Sequence, residues 1–122
     1  MIESSSAVRF GYQAEIDAKA VTISSSGENT IHTPTSGRIL GISYLCASAD
    51  ADNTASVTVG FRFGTGAPDL YKLSLAAGCM WARAVGVGKR WLRLPATDVP
   101  LLVNLSSAQT VHVSIEYEEM LV

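Results

Sequence analysis

The stretch Thr54-Ala55-Ser56-Val57-Thr58-Val59-Gly60-Phe61-Arg62-Phe63 decides the fold class, because Ala55, Val57, Val59, Phe61 and Phe63 alternate strictly with Ser56, Thr58, Gly60 and Arg62. A helix would space its apolar groups three and four residues apart. A two-residue period filled with β-branched and aromatic side chains predicts a half-buried β-strand. Slipping the register by one residue would turn the whole apolar set to water, so neighbouring strands must meet this one in a single alignment.

The same pattern recurs on either side. Residues 38–48 read as a long strand facing inward with Leu40, Ile42, Tyr44 and Cys46, while Ile39 and Leu45 imply a partly covered opposite face. The turn Asp50-Ala51-Asp52-Asn53 predicts a hairpin between this strand and the next. Residues 24–29 and 34–37 read as turns around a short strand at 30–33. In the extended residues 12–24, Tyr12, Ala14, Ile16 and Ala18 share one parity and Val21 and Ile23 the other, which predicts a bulge or bend near Ala20.

Beyond a turn at residues 64–69, strands are expected at 70–75 (Tyr71, Leu73 and Leu75 inward), 79–87, 91–94, 101–105 and 110–117. Residues 95–100 are loop, since neither Pro95 nor Pro100 can donate to an interior ladder. Eight or nine short strands separated by frequent turns predict an all-β fold. The expected form is a two-sheet antiparallel sandwich of jelly-roll or Greek-key type. Residues 1–11 read as an N-terminal arm and 12–122 as a single β-sandwich domain.

Composition supports a real core. A chain of 122 residues folds to roughly 6,300 Å² from roughly 18,700 Å² extended, burying about two-thirds of its surface. Hydrophobic residues make up 48% of the chain and charged residues 16%, below the ~25% of an average soluble domain. Much of the surface is therefore neutral Ala, Ser, Thr and Gly, as in domains that pack against something else and also in plain Ser/Thr-rich sandwiches. A net charge of −2 offers nucleic acid or anionic membrane no general attraction. The start Met1-Ile2-Glu3-Ser4-Ser5-Ser6 lacks the basic and apolar regions of a signal peptide, which predicts cytoplasmic synthesis. Cys46 and Cys79 lack C-x-x-C spacing and are expected as reduced, mostly buried thiols.

Chemistry is sparse. His32 and His112 have no ligand-spaced partners and read as hydrogen-bonded histidines. Asp50, Asp52 and Asn53 open like a calcium loop without its glycine or later Glu. Gly86-Val87-Gly88 lacks a third glycine and a following helix. No serine stands in a G-x-S-x-G elbow. Glu116 and Glu118 share a strand face about 7 Å apart; with Glu119 they read as a solvated edge that discourages aggregation. No enzyme, cofactor or metal is expected.

Two regions stand out. Ile2, Val8, Phe10 and Tyr12 would be wasted on a solvating tail and mark a segment that orders on a partner, the alternative being an ordinary frayed terminus. Trp81, Arg83, Arg90, Trp91 and Arg93, with Lys89, concentrate aromatics and cations as binding surfaces do. The plainer reading has both tryptophans capping the core and the cations in water. These nine residues from Ile2 to Arg93, Lys89 aside, are the candidate partner interface.

The segment Thr35-Ser36-Gly37-Arg38-Ile39-Leu40-Gly41-Ile42 and the closing strand Val111-His112-Val113-Ser114-Ile115-Glu116-Tyr117-Glu118 resemble the small β-sandwich virion proteins of tailed bacteriophages, most of all capsid decoration (cement) proteins. The pattern spans roughly residues 21–118 and leaves the arm outside. The resemblance implies a non-catalytic subunit, often a homotrimer, made in the bacterial host cytoplasm. It would bind the major capsid protein on the capsid exterior and stabilise the shell. It carries over no individual functional residue. The competing functions are a carbohydrate- or receptor-binding module of a tail fibre, using Trp81 or Trp91 as a stacking platform, and another head or tail structural subunit.

Overall fold

Each alternating stretch becomes a strand in the computed structural model, which describes residues 16–85 and 92–121. The strands are β1 (Asp17–Ile23), β2 (Gly27–His32), β3 (Ile39–Ala49), β4 (Val57–Phe63), β5 (Asp69–Leu75), β6 (Met80–Ala84), β7 (Leu92–Arg93), β8 (Leu101–Leu105) and β9 (Val111–Met120). Sheet A runs β1-β9-β3-β6, with β7 also on β3; sheet B runs β2-β8-β4-β5. All pairs are antiparallel. The pairs β4/β5, β3 with β6 and β7, β2/β8 and β1/β9 nest inside one another. The chain is therefore one long hairpin rolled into two sheets, the strand order of a jelly roll.

The core lies between the sheets. Val57, Val59 and Phe61 are fully buried from β4, and Leu101, Val103, Leu105, Val111, Val113 and Ile115 from β8 and β9. The alternation read from β4 thus identifies the buried face, although Ala55 is exposed because the strand begins at Val57.

Several local expectations are corrected. Strand β3 does not pair with β4: residues 50–56 carry the chain from sheet A to sheet B, and the hairpin is β4/β5. A register shift between Ile42 and Tyr44 inverts the faces of β3. Leu40 and Ile42 point inward before it and Leu45, Ala47 and Ala49 after it, so Tyr44 and Cys46 lie on the outer face. Strand β1 has no shift from Asp17 to Ile23; Val21 and Ile23 face the core and Ile16 and Ala18 face water. Gly27, Glu28 and Asn29 belong to β2, not to the preceding turn, because they pair with β8. Strand β9 continues to Met120, and Glu116 lies between β1 and β3 rather than on a sheet edge, while Glu118 and Glu119 pair with β3 beyond the last β1 partner among the described residues. Neither cysteine is fully buried: both are free, Cys46 half-buried and Cys79 exposed.

The two outer faces differ in chemistry. On sheet B, Arg62 donates from Nε to Asp69 Oδ1 at 2.6 Å and from Nη1 to Glu28 Oε2 at 2.9 Å, and Gly66 N donates to the same Glu28 oxygen at 2.8 Å. This network ties β2, β4 and β5 together. It also accounts for Gly60, where an added Cβ would collide with the Asp69 carboxylate. Gly60→Ala is expected to push Asp69 off Arg62 and cost about 1 to 3 kcal/mol in a denaturant melt. The outer face of sheet A carries mainly small residues, with rows Ala20-Ser114-Cys46-Ala82 and Ala18-Glu116-Tyr44-Ala84.

Candidate partner interface

Of the interface residues read from the sequence, Ile2, Val8, Phe10, Tyr12, Arg90 and Trp91 lie outside the described residues. Trp81, Arg83 and Arg93 lie on one flank of the sandwich, where β6 and β7 at the edge of sheet A face β4 and β5 of sheet B. The flank has two parts.

At the first, Trp81 sits opposite inward-facing Ala47, so its indole turns between the sheets. It meets Phe61 and Tyr71 in tilted contacts, each with centroids 5.6 Å apart. The guanidinium of Arg83 lies 5.1 Å from the Tyr71 ring centroid, a contact worth about 0.5 to 1 kcal/mol at an exposed site. Trp81 therefore closes the edge of the core, with half-buried Tyr71 packed beside it and the exposed Arg83 reaching over Tyr71.

At the second, Phe63, Pro68, Leu70, Leu92 and Pro95 line an apolar groove of about 480 Å³, with Arg93 and Asp69 on its rim. Leu70 is 48% exposed there. Arg93 pairs across β3 at Gly41 while Arg83 pairs at Leu45, so the structure does not merge the two arginines into one patch. Gly41 also faces Glu118 on β9. Burial pushes the Glu118 carboxyl up, and the charge of Arg93 offsets part of that.

Sequence reasoning missed the polar ties that shape the sandwich ends, because their members lie far apart in the chain. His32 Nε2 is 2.7 Å from Glu119 Oε2, and Thr35 N donates to Glu119 Oε1 at 2.9 Å. Burial alone would raise the Glu119 carboxyl, but the bonds from Thr35 and His32 prevail and hold it down at about 2. The depressed value means that this stability is complete above the ordinary carboxyl value of 4.5 and is lost as the pH falls through about 2. Glu119→Gln is expected to cost about 1 to 2 kcal/mol at neutral pH, allowing for solvent screening, and to remove the part of the acid destabilisation that falls in that window. Denaturant melts across the acid range check both.

At the other end, Thr22 Oγ1 lies 3.0 Å from His112 Nδ1, and His112 Nε2 lies 3.0 Å from Asp50 Oδ1. Hydroxyl, imidazole and carboxylate follow the order of a nucleophile, its base and an orienting acid. The His112 and Asp50 side chains are 45% and 35% exposed, so water screens them, and they serve to tie β1 and β9 to the residue 50–53 turn. The Asp50 carboxyl, held below its usual value by His112 and then by Asp52 N, closes the turn. Among the described residues, no group of three His, Cys, Asp or Glu could hold a metal ion, and no helix is long and apolar enough to cross a membrane.

No protein-family model and no curated protein matches the chain. Among solved structures it is similar in fold to a subunit of Bacillus endospore appendages, described as disulfide-linked pili, at 17% identity over 98% of this chain and 100% of that one, with a TM-score of 0.49. The virus-like particle of extra small virus, from the giant freshwater prawn Macrobrachium rosenbergii, contributes a second match at 10% identity, 95% and 84% coverage and a TM-score of 0.47. A chain of the cyanophage Pam1 capsid asymmetric unit is a third, at 13% identity, 93% and 91% coverage and a TM-score of 0.38. Likeness at this distance says nothing of activity or partners.

Proposed function

We propose that the chain is a structural subunit of a tailed-bacteriophage virion that binds the major capsid protein on the capsid exterior and stabilises the shell. It acts as a homotrimer, without catalysis, cofactor, nucleic acid or membrane. The observation that carries this reading is the flank of Trp81, Tyr71, Arg83, Leu70 and Arg93. It sets exposed Leu70 and Arg93 at an apolar groove and, separately, Arg83 over the Tyr71 ring beside Trp81, on an otherwise sparsely charged sandwich. Aromatic and Arg groups of this kind supply the anchors of protein contacts. The resemblance in residues 35–42 and 111–118 points to the same class. A protein that binds only the assembled shell stabilises it by mass action.

The sugar-binding alternative loses one of its two platforms, since Phe61 and Tyr71 already occupy the indole of Trp81. The double variant Leu70→Asp, Arg93→Gln tests the flank. Its affinity for shells lacking the protein should fall at least about thirtyfold, the loss of two anchor contacts, with its thermal melt unchanged. Equal affinity in variant and parent would remove the flank from the interface.

A further inference from the structure

At the end of the sandwich where β1 begins, three side chains from three strands form a chain of hydrogen bonds across the two sheets. Lys19 of β1 places Nζ 3.2 Å from Nδ1 of His32 on β2, and His32 Nε2 lies 2.7 Å from Glu119 of β9. The His32 ring also packs on Tyr117 with centroids 4.3 Å apart. His32 and Glu119 are well covered, at 12% and 20% side-chain exposure.

The donor inventory fixes the proton positions. An ionised carboxylate only accepts, so the bond to Glu119 requires the proton on Nε2. A lysine ammonium only donates, so the bond from Lys19 requires Nδ1 to be bare. His32 is therefore neutral when both bonds are made. A second proton can go only to Nδ1, where it meets the ammonium of Lys19. That exchanges a donor–acceptor pair for two facing cationic donors, while the bond to Glu119 becomes a full ion pair.

We propose that His32 is a proton-operated latch: neutral, it holds the edge strand β1 to the opposite sheet through Lys19; protonated, it releases Lys19 and keeps only Glu119. Other charged and titratable groups stand at this end. Thr35 N and Arg38 Nη1 are engaged with Glu119, at 2.9 Å from its side chain and 3.4 Å from its carbonyl. Asp17 pairs opposite Tyr117, the ring packed on His32, and shares the face of Lys19 two residues along β1. Glu28, on the same strand as His32, is held by Arg62 on the outer face of sheet B. In sheet A, β1 pairs only with β9 among the described strands, so a loosened β1 uncovers the pairing edge of β9 for another copy of the chain.

The test is amide hydrogen exchange of the full chain from about pH 8 to about pH 5, corrected for intrinsic exchange and read with the nitrogen shifts of the His32 ring. At the upper end the ring should be the Nε2–H tautomer. As it takes up its proton, protection of the β1 amides from Lys19 to Val21 should fall roughly three- to tenfold relative to the β3–β9 ladder, the size of one hydrogen bond. Lys19→Met should show the lower protection throughout with no step, and Lys19→Arg should keep the step. An Nδ1–H tautomer at the upper end, no step in the parent, or the same step in Lys19→Met would overturn the proposal.

Discussion

Replacing Phe61 by Ala should lower the unfolding free energy by about 3 to 5 kcal/mol, within the range of large-to-small core changes. Such a loss consumes much of the 5 to 15 kcal/mol typical of a domain. Phe61 has no exposed surface and sits mid-sheet between Tyr71 of β5 and Val103 of β8. Its ring is also one of the two faces that hold Trp81, so the cavity would open towards the flank and the loss should register in tryptophan fluorescence. Val59→Ala should fall at the low end of the same range or just below it, since it removes fewer atoms. Denaturant melts giving less than 1 kcal/mol for both would mean that the opposite face of β4 carries the core.

Removing residues 1–10 should leave the melting temperature of the free chain nearly unchanged while weakening its binding to shells about ten- to hundredfold. Ile2, Val8 and Phe10 would each gain about 1.5 to 3 kcal/mol by burial against a neighbouring subunit. Fixing the backbone takes back roughly 1 to 2 kcal/mol per residue. The balance is favourable only if the segment also makes backbone hydrogen bonds, as an added strand does. Among the described strands, β1 stands at one edge of sheet A. Binding that is as tight without residues 1–10 would make them an ordinary terminus and leave the flank as the contact.

What was legible in the sequence was the local period, and what was not depended on distant partners. Strands β4 and β9 carry one apolar parity each, so their buried faces could be read directly; the bounds of β8 coincide with Leu101–Leu105, although Leu102 is buried on its opposite parity. In β3 both parities are apolar, and an alternating pattern cannot show where one extra residue inverts it. The shift after Ile42 therefore put Tyr44 and Cys46 on the wrong side of the expectation. The parity change in residues 12–24 looked like a similar bulge, yet β1 is regular there. An edge strand can leave Ile16 and Ala18 in water, so apolar character was a poor guide to its inner face.

The residue 50–53 turn looked like a hairpin because turn chemistry is local. Whether the chain returns to the same sheet is decided by the opposite sheet, and seven residues suffice to cross between them. The aromatic-basic cluster at 81–94 was visible as composition, but its division between Trp81 with Arg83 and the groove beside Arg93 follows from where β6 and β7 dock on β3. The bond chain through Lys19, His32 and Glu119 spans 13 and then 87 positions, beyond any motif spacing.

The most direct test of the proposed role is a native mass measurement of the purified chain, alone and after mixing with icosahedral shells assembled without it. The predicted result is a trimer in solution and saturable uptake by the shells in multiples of three copies, with the loaded shells resisting heat that bursts bare ones. A strict monomer that adds no mass to shells at saturating concentration, and leaves their heat stability unchanged, would contradict it.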